Sequence, residues 1–460
     1  MSDDEVRDAK NGPPREGSLD APFRHPIAWR DDDYYDLAKV EAEMERQFDV
    51  CHTCRRCFNL CDSFPRLFDV IDESPTGELD SVPKSAYARV DEACTLCDMC
   101  FLTKCPYVPP HAFDIDIPHL IVRYRAAKRR EGERDFVREQ LGMTDRNGKL
   151  AKPVAGLANS ISARKNTPLR KLLEAIAQID ANVELPKYSS KSATDRLKSP
   201  LAPNPAGPAF GRRKVALYAT CFVDYNEPDT AVAAARVLAL QGVEVKLVYP
   251  ECCGMPQLEA GNLADVAGRA GRVAGIFQPL IEDGYDVVAL TASCGLMMKF
   301  EWPLIEPQNK AVAALSAATK DICEYVVDLQ KSFGLAAGLT PVEGGITLHH
   351  ACHARAQNMG AKSAEMLRLI PETRVELVER CSGHGGTFGV MKETAPVARK
   401  VGRPTARQIA AKGTDTLCSD CPLACKHLGQ LLVAETADAA HAAPRQAHPI
   451  EIFARAYGAV

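Results

Sequence analysis

From residue 214 onward the chain alternates apolar runs of strand length with stretches whose apolar positions repeat at helical spacing. "KVALYAT", "VEVKLVY" and "YDVVALTA" predict strands, while "EPDTAVAAARVLALQG", which stops at glycine, and "NLADVAGRAGRVAGIFQPLIEDG" predict helices. Such alternation predicts parallel strands joined by crossover helices. The same order returns about 130 residues later. There "GITLHH", "TRVELVE" and the short "DTL" predict strands, and "GAKSAEMLRLIPE" and "PVARKVGRPTARQIAAKG" predict helices. The carboxyl-terminal half is thus an internal repeat. Upstream, "YYDLAKVEAEMERQF" and "IPHLIVRYRAAKRREGERDFVREQ" carry helix-period apolar positions. Between the two regions, "KNTPLRKLLEAIAQID" predicts one short amphipathic helix, and the Pro, Ser and Gly-rich "LPKYSSKSATDRLKSPLAPNPAGPAFGRR" predicts a linker. The expected organisation is a disordered tail over 1–35, a helical domain over 36–144, a linker over 145–212, and two α/β domains over 213–340 and 341–460. The short sheets of those two domains are expected to be parallel.

Composition changes little in this picture. The net charge of −4 over 460 residues creates no global field and argues against a nucleic-acid partner. The first residues, "MSDDEVRDAKNGPPREGSLDAP", are acidic where an export signal needs a positive start and an apolar core, so a cytoplasmic chain is expected. No run of about 18 apolar residues occurs, which leaves only surface attachment to a membrane. The 18 cysteines do change the picture. A reducing compartment does not keep disulfides, so metal ligation is the expected use of the thiols.

Eight of them fall into two tight runs, Cys51-x2-Cys54-x2-Cys57-x3-Cys61 and Cys94-x2-Cys97-x2-Cys100-x4-Cys105-Pro106. Three thiolates at i, i+3 and i+6 wrap one face of an iron–sulfur cubane and a fourth completes it. Structural zinc sites instead pair ligands two and two from separated segments. The spacing resembles two-cluster ferredoxins, in which the fourth cysteine of each run serves the other cluster. That resemblance implies one [4Fe-4S] cluster on Cys51, Cys54, Cys57 and Cys105, and a second on Cys94, Cys97, Cys100 and Cys61. Asp62 stands where the ferredoxin pattern has proline, and the 32 residues between Cys61 and Cys94 exceed a compact bacterial ferredoxin. With the flanking helical patterns, an α-helical two-cluster ferredoxin-type domain is expected.

The remaining thiols map onto the repeat. Cys221 follows the first expected strand, Cys252 and Cys253 the second, and Cys294 the third, all at the carboxyl edge where open α/β sheets bind their ligands. In the second copy Cys352, Cys381, and the pair Cys418 and Cys421 occupy the corresponding places. Adjacent Cys252 and Cys253 are badly placed to form a disulfide with each other, so a shared cluster is the better use of both sulfurs.

At these residues the sequence resembles the cysteine-rich "CCG" domain family of iron–sulfur oxidoreductases. That family includes the heterodisulfide reductase B subunits and the anaerobic glycerol-3-phosphate dehydrogenase C subunits. The stretches "ATCFVDYNEP", "CCGMPQLEAGN", "SCGLMMKFEWP", "CHARAQNMG" and "GTFGVMKE" carry the likeness. The first copy reads Cys221, 30 residues, Cys252-Cys253-Gly254, then 40 residues from Cys253 to Cys294. The second reads Cys352, 28 residues, Cys381-Ser382-Gly383, then 35 residues from Ser382 to Cys418-x-x-Cys421. Each copy keeps four thiols where the full pattern has five, because Ser382 replaces one and nothing completes a Cys-x-x-Cys at Cys294. The resemblance implies one further iron–sulfur cluster in each CCG domain. It also implies an electron-transfer subunit of an oxidoreductase. Electrons from a flavoprotein dehydrogenase or another redox protein would pass through the ferredoxin-type clusters to the CCG clusters, and on to an acceptor such as quinone, at the inner face of the membrane as a peripheral protein. It also allows, as the alternative that the reduced cysteine count disfavours, a terminal enzyme that reduces a disulfide, as heterodisulfide reductase does. "CPYVPPHAFDIDIPHL" resembles relatives of rubrerythrin-type systems, which implies a donor to such a partner instead.

Smaller features have blander readings. His349, His350, His353 and His384 lie beside second-copy cysteines, where they either tune a cluster or are buried hydrogen-bonded histidines; the latter is the simpler expectation. Cys323 and Cys425 are expected as a core residue and a spare thiol. Arg123, Arg125, Lys128, Arg129 and Arg130 read as a solvated helix face ahead of a lipid contact. "GHGGTFG" lacks the Lys and Ser/Thr of a phosphate loop, and no Gly-x-Gly-x-x-Gly follows "KVALYAT", so no nucleotide machinery is expected.

Overall fold

In the computed structural model, residues 21–435 and 444–459 are described. Residues 1–20 of the expected tail lie outside them. The rest of that stretch is held down: Arg24 pairs with Asp98 at 2.6 Å and with Asp116 at 2.9 Å, and its guanidinium lies over the Phe101 ring. The chain divides into two compact units. One runs through Glu133 and takes in Glu259–Gly261; the other holds Arg134–Leu258 and everything from Asn262 on.

The first unit is helical. Asp36 caps the helix Leu37–Cys54 by accepting the Lys39 N–H, and Val40, Met44 and Phe48 on one stripe are buried. This helix packs against Ile117–Arg130, which Asp116 caps in the same way. The apolar pattern expected to continue to residue 140 breaks at Gly132 (φ +98°), so a separate helix, Phe136–Gly142, begins in the second unit. The basic run is not a solvated face. Arg123 donates to the Tyr34 and Asp33 carbonyls, Arg130 pairs with Asp32, and Arg125 donates to Asp91 and to the Cys94 carbonyl at 2.7 Å.

The second unit contains two four-stranded parallel sheets. The first, in order β2-β1-β3-β4, uses Lys214–Tyr218 (β1), Glu244–Val248 (β2), Tyr285–Ala289 (β3) and Thr319–Asp321 (β4). The second, β6-β5-β7-β8, uses Ile346–His349 (β5), Val375–Val378 (β6), Thr416–Ser419 (β7) and Arg445–Ala447 (β8). The repeat read in the sequence is therefore a repeat of architecture. One buried cluster runs through both copies, from Val215, Leu217 and Val326 to Ile346, Leu348 and Phe453. β4 and β8 go beyond the expected strands: each is three residues, "TKD" and "RQA", with no apolar run to announce it.

Residues 145–212, expected as a linker, carry the helices Thr144–Ala151, Ala155–Ser162, Thr167–Ala177 and Ala193–Arg196 and belong to the same compact unit as the sheets. Thr144–Ala151 lies against Cys221–Tyr225, and Gly148 makes that approach possible, since a Cβ there would stand 2.3 Å from the Tyr225 ring. Arg170 is fully buried and donates to the Asp180 and Val183 carbonyls, which closes the segment onto itself.

Candidate cysteine sites

In the helical unit, Cys51, Cys54, Cys57 and Cys105 line one cavity together with Val50, Phe64 and Ile115. Burial raises the Cys51 thiol well above its ordinary range, and neighbouring Cys105, Cys57 and Cys54 raise it further. Cys100 is raised likewise by burial and then by Cys97, Cys94, Cys61 and Cys57. Cys105, the last of the second run, thus lines one cavity with the first run's leading three, and Cys61 lies near enough to raise Cys100. Non-glycine residues with positive φ, Arg55 (48°), Leu96 (47°) and Asp98 (61°), turn the backbone between successive thiols. Burial raises the Cys94 thiol, and Arg125 opposes that rise. Arg125, read in the sequence as part of a surface run, is thus a member of this site.

In the first α/β domain, Cys221, Cys252, Cys253 and Cys294 meet at the carboxyl ends of β1, β2 and β3. Thr220 takes φ +64° ahead of Cys221, caps the helix Cys221–Tyr225 through the Val223 N–H, and shares a 3.1 Å hydrogen bond with the Thr291 hydroxyl. That bond ties the loop carrying Cys221 to the loop carrying Cys294. Gly254 (φ +85°) turns the chain after the cysteine pair, and the buried Trp302 indole donates to the Cys253 carbonyl at 3.1 Å. Thiol donors from Cys221 and Cys253 hold the Cys252 thiol well below its ordinary range, while accepting that role raises Cys221 and Cys253. These contacts favour the thiolate at Cys252 and the neutral thiol at Cys221 and Cys253, a balance that a bound cation or cluster would tip toward thiolate.

Two residues at the junction between the expected helical domain and the expected linker complete this site. Asp145 Oδ2 accepts the Cys252 N–H at 2.7 Å and lies 3.3 Å from Arg269, which also meets Asp265 at 3.2 Å and Glu251 at 3.5 Å. The Tyr249 hydroxyl donates to the other oxygen of Asp145. The buried Thr144 hydroxyl lies beside the Cys221 and Cys252 sulfurs and has no oxygen or nitrogen partner. A donor left facing sulfurs fits a sulfur-rich group. Asp145 stands 107 residues before Cys252, and nothing in its local sequence points there.

The second domain is assembled differently. Cys352 starts the helix Cys352–Ala356 after β5, and the Cys381 sulfur accepts the Gly383 N–H at 3.3 Å. Cys421 follows β7, and burial raises its thiol to about 11. Asp420 and then Cys294 of the first domain raise it further, and the Ala292 N–H donates to the Asp420 carbonyl between the two domains. Cys418 is set apart. The expected strand "DTL" extends through Ser419, so Cys418 sits inside β7 opposite Leu348, fully buried in the apolar cluster with Cys323 and Ile322. Alternation along the strand points it into the core. Cys323 is a core residue as expected, and Cys425 is buried with its thiol toward the Leu417 carbonyl. His349 is hydrogen-bonded to Ser419 and the Arg380 carbonyl, and burial lowers it to about 4. His384 and His427 face each other at 6.0 Å, and burial lowers them to about 3 and about 4; the Nε2 of each has no hydrogen-bond partner. "GHGGTFG" forms a tight turn with Gly383, Gly385 and Gly386 at positive φ. Among the described residues, no three His, Cys, Asp or Glu side chains converge to hold a single metal ion, and no helix is long and apolar enough to cross a membrane.

Two repeated parallel-sheet domains, each gathering thiols at its carboxyl edge and preceded in the chain by a helical unit with two cysteine runs, define an iron–sulfur redox subunit. The cysteine-rich domain family matches residues 215–299 and 346–427, the two sheets and their thiols. The chain belongs to the family of anaerobic glycerol-3-phosphate dehydrogenase C subunits. It is 30% identical over 316 residues to that subunit of Escherichia coli K12, covering 67% of this chain and 76% of the relative. It is 27% identical over 231 residues to the B subunit of the fumarate reductase (CoM/CoB) of Methanothermobacter marburgensis, covering 48% and 43%. It is also 27% identical over 221 residues to lactate utilization protein A of Bacillus cytotoxicus, covering 45% and 87%.

Proposed function

We propose that this chain is the electron-transfer subunit of an oxidoreductase, accepting electrons from a dehydrogenase or another redox protein and delivering them to an acceptor such as quinone. The observation that carries this reading is the separation of the thiols into sets: two interleaved groups of four in the helical unit, and four around Cys252 and Cys253. Clusters bound there supply one-electron chemistry; the protein sets their burial, ligands and potential. In this reading Cys51, Cys54, Cys57 and Cys105 hold one [4Fe-4S] cluster and Cys94, Cys97, Cys100 and Cys61 another. Cys221, Cys252, Cys253 and Cys294 hold a third. Arg125 offsets negative charge at the second, and Asp145 with Arg269 fixes the backbone of Cys252 at the third. In the second domain Cys352, Cys381 and Cys421 remain as thiol donors. His384, three residues after Cys381, adds a buried imidazole whose Nε2 has no hydrogen-bond partner.

The similarity to a reductase named for CoM/CoB favours one alternative, a terminal enzyme that reduces a disulfide at a CCG domain. The missing fifth thiol in each copy weighs against it. Anaerobic purification, iron and sulfide counting, and EPR during stepwise reduction decide the first reading, which expects about twelve irons in three distinguishable centres, and about sixteen in four where the three thiols of the second domain also hold a cluster. Eight irons, with no signal lost on Cys252→Ser and Cys253→Ser, would sink it. Disulfide reductase turnover by the isolated chain would promote the alternative.

A further inference from the structure

Sheet register fixes how the two copies correspond at the loops that carry their last thiols. In the first sheet Leu217 on β1 stands opposite Val288 on β3, and Cys221 lies four residues after Leu217. In the second sheet Leu348 on β5 stands opposite Cys418 on β7, and Cys352 lies four residues after Leu348. Val288 and Cys418 are therefore equivalent, and three residues further on Thr291 is equivalent to Cys421. Each of these directly precedes a helix, Ala292–Leu296 in the first copy and Pro422–Glu435 in the second. Three residues further again, Cys294 is equivalent to Ala424. One Cys-x-x-Cys pair is thus divided between the copies: the first keeps the second thiol, and the second keeps the first.

The two halves of that pair are brought together. The Ala292 N–H donates to the Asp420 carbonyl at 3.4 Å, which joins the turn before Cys294 to the turn before Cys421. The helix Ala292–Leu296 also packs on the helix Cys352–Ala356. Gln357, which follows that second helix and is 3% exposed, donates its Nε2 to the Ala292 carbonyl at 3.0 Å. Gly295 admits it, since a Cβ there would stand 2.9 Å from the Gln357 Nε2. Cys294 is in turn tied to the loop of Cys221 by the hydroxyl pair Thr220 and Thr291, so Thr291 is already engaged at the position equivalent to Cys421. The electrostatics run the same way. The thiol that acts on Cys421 is Cys294, whereas the charges around Cys381 are Arg380 and Arg355.

We infer, on the reading of a cluster in the first domain, that Cys421 reaches across the domain boundary to serve that cluster as a fifth thiol ligand beside Cys221, Cys252, Cys253 and Cys294. Gln357 is the positioning residue that holds the two loops together. With Cys418 in the core, Cys352 and Cys381 are then the only thiols left at the second sheet's edge, and the second domain holds no cluster of its own.

Iron and sulfide counting with EPR during stepwise reduction, on the full chain purified anaerobically, tests this, with Cys252→Ser identifying the first-domain signal. Wild type should hold about twelve irons. Cys421→Ser should shift or abolish the signal that Cys252→Ser abolishes and leave the ferredoxin-type signals in place. Cys381→Ser should keep about twelve irons and every signal. Gln357→Ala should move the potential of the Cys252-dependent signal with all thiols present, a selective effect that general misfolding does not produce. A Cys252-dependent signal that is the same in Cys421→Ser as in wild type overturns the inference, as does loss of iron or of any signal in Cys381→Ser. An unchanged potential in Gln357→Ala overturns its positioning role. If Cys252→Ser itself removes neither iron nor a signal, the cluster reading of the first domain falls, and the fifth ligand with it.

Discussion

Cys418 offers the sharpest test of how the second domain works. In sequence it is half of a Cys-x-x-Cys; in the structure it lies within β7 and is fully buried against Cys323, Ile322 and Leu348. Substituting Ser keeps the shape and puts a hydroxyl into an apolar pocket, where an unpaired polar group costs about 2 kcal/mol. In a unit of this size that lowers Tm by roughly 4 °C. Substituting Ala removes the sulfur without burying a hydroxyl, leaves a small cavity, and should cost less, about 1 kcal/mol. The core role therefore predicts an order, Ser worse than Ala, with iron content and every EPR signal unchanged in both. A ligand role predicts loss of iron and of an EPR signal in both, because Ser and Ala each remove the thiolate. The assay is anaerobic thermal unfolding beside iron counting and EPR on the same preparations, with Cys421→Ser for comparison. Loss of iron or of a signal in Cys418→Ala would refute the reasoning.

Other expectations follow from named contacts. Asp145→Asn removes a negative charge near Cys252. At an effective dielectric of about 20 and a separation of roughly 7 Å that charge is worth about 2 kcal/mol, so the potential of the first-domain centre should rise by roughly 50 to 100 mV in a redox titration. No shift would separate Asp145 from that site. Arg24→Ala leaves the buried Asp98 carboxylate without its partner and should cost about 3 kcal/mol in denaturant unfolding. His448 is buried, accepts the Ile450 N–H, and is lowered by burial to about 3. The unfolded chain takes up this proton near pH 6.5 and the folded chain only near pH 3, so stability is fully present above pH 6.5 and falls as pH drops through that window. His448→Asn keeps a capping side chain and should flatten that part of the stability profile; an unchanged slope would count against the assignment.

Much of this molecule is legible in its sequence because the strands of a parallel sheet, buried on both faces, read as apolar runs. β1, β2, β3, β5 and β6 fall within the runs that announce them, and the thiols follow their carboxyl ends. β7 runs past its apolar signal: "DTL" looks complete at Leu417, and a cysteine can continue a strand as readily as ligate iron. β4 and β8 carry no signal because an edge strand of three residues is selected by its neighbour's hydrogen bonds rather than by its own side chains. Asp145 and Thr144 are invisible for a different reason. Their role comes from long-range packing that Gly148 permits, and the polar, Pro-rich stretch downstream of them suggests a linker. Arg125 is lost in a run of like residues, where only the fold distinguishes the one that turns inward.

The helix Thr144–Ala151 joins two places that sequence keeps apart. At 1.5 Å per residue it is about 12 Å long and too short to bend appreciably. Its first turn holds the Cys252 backbone, and Leu150 is exposed near its last. Any tilt imposed at one end is therefore felt at the other, and thermodynamic linkage makes the effect mutual. If a contact at Leu150 shifts the one-electron potential at Cys252 by about 60 mV, oxidised and reduced protein must differ about tenfold in their affinity for whatever makes that contact.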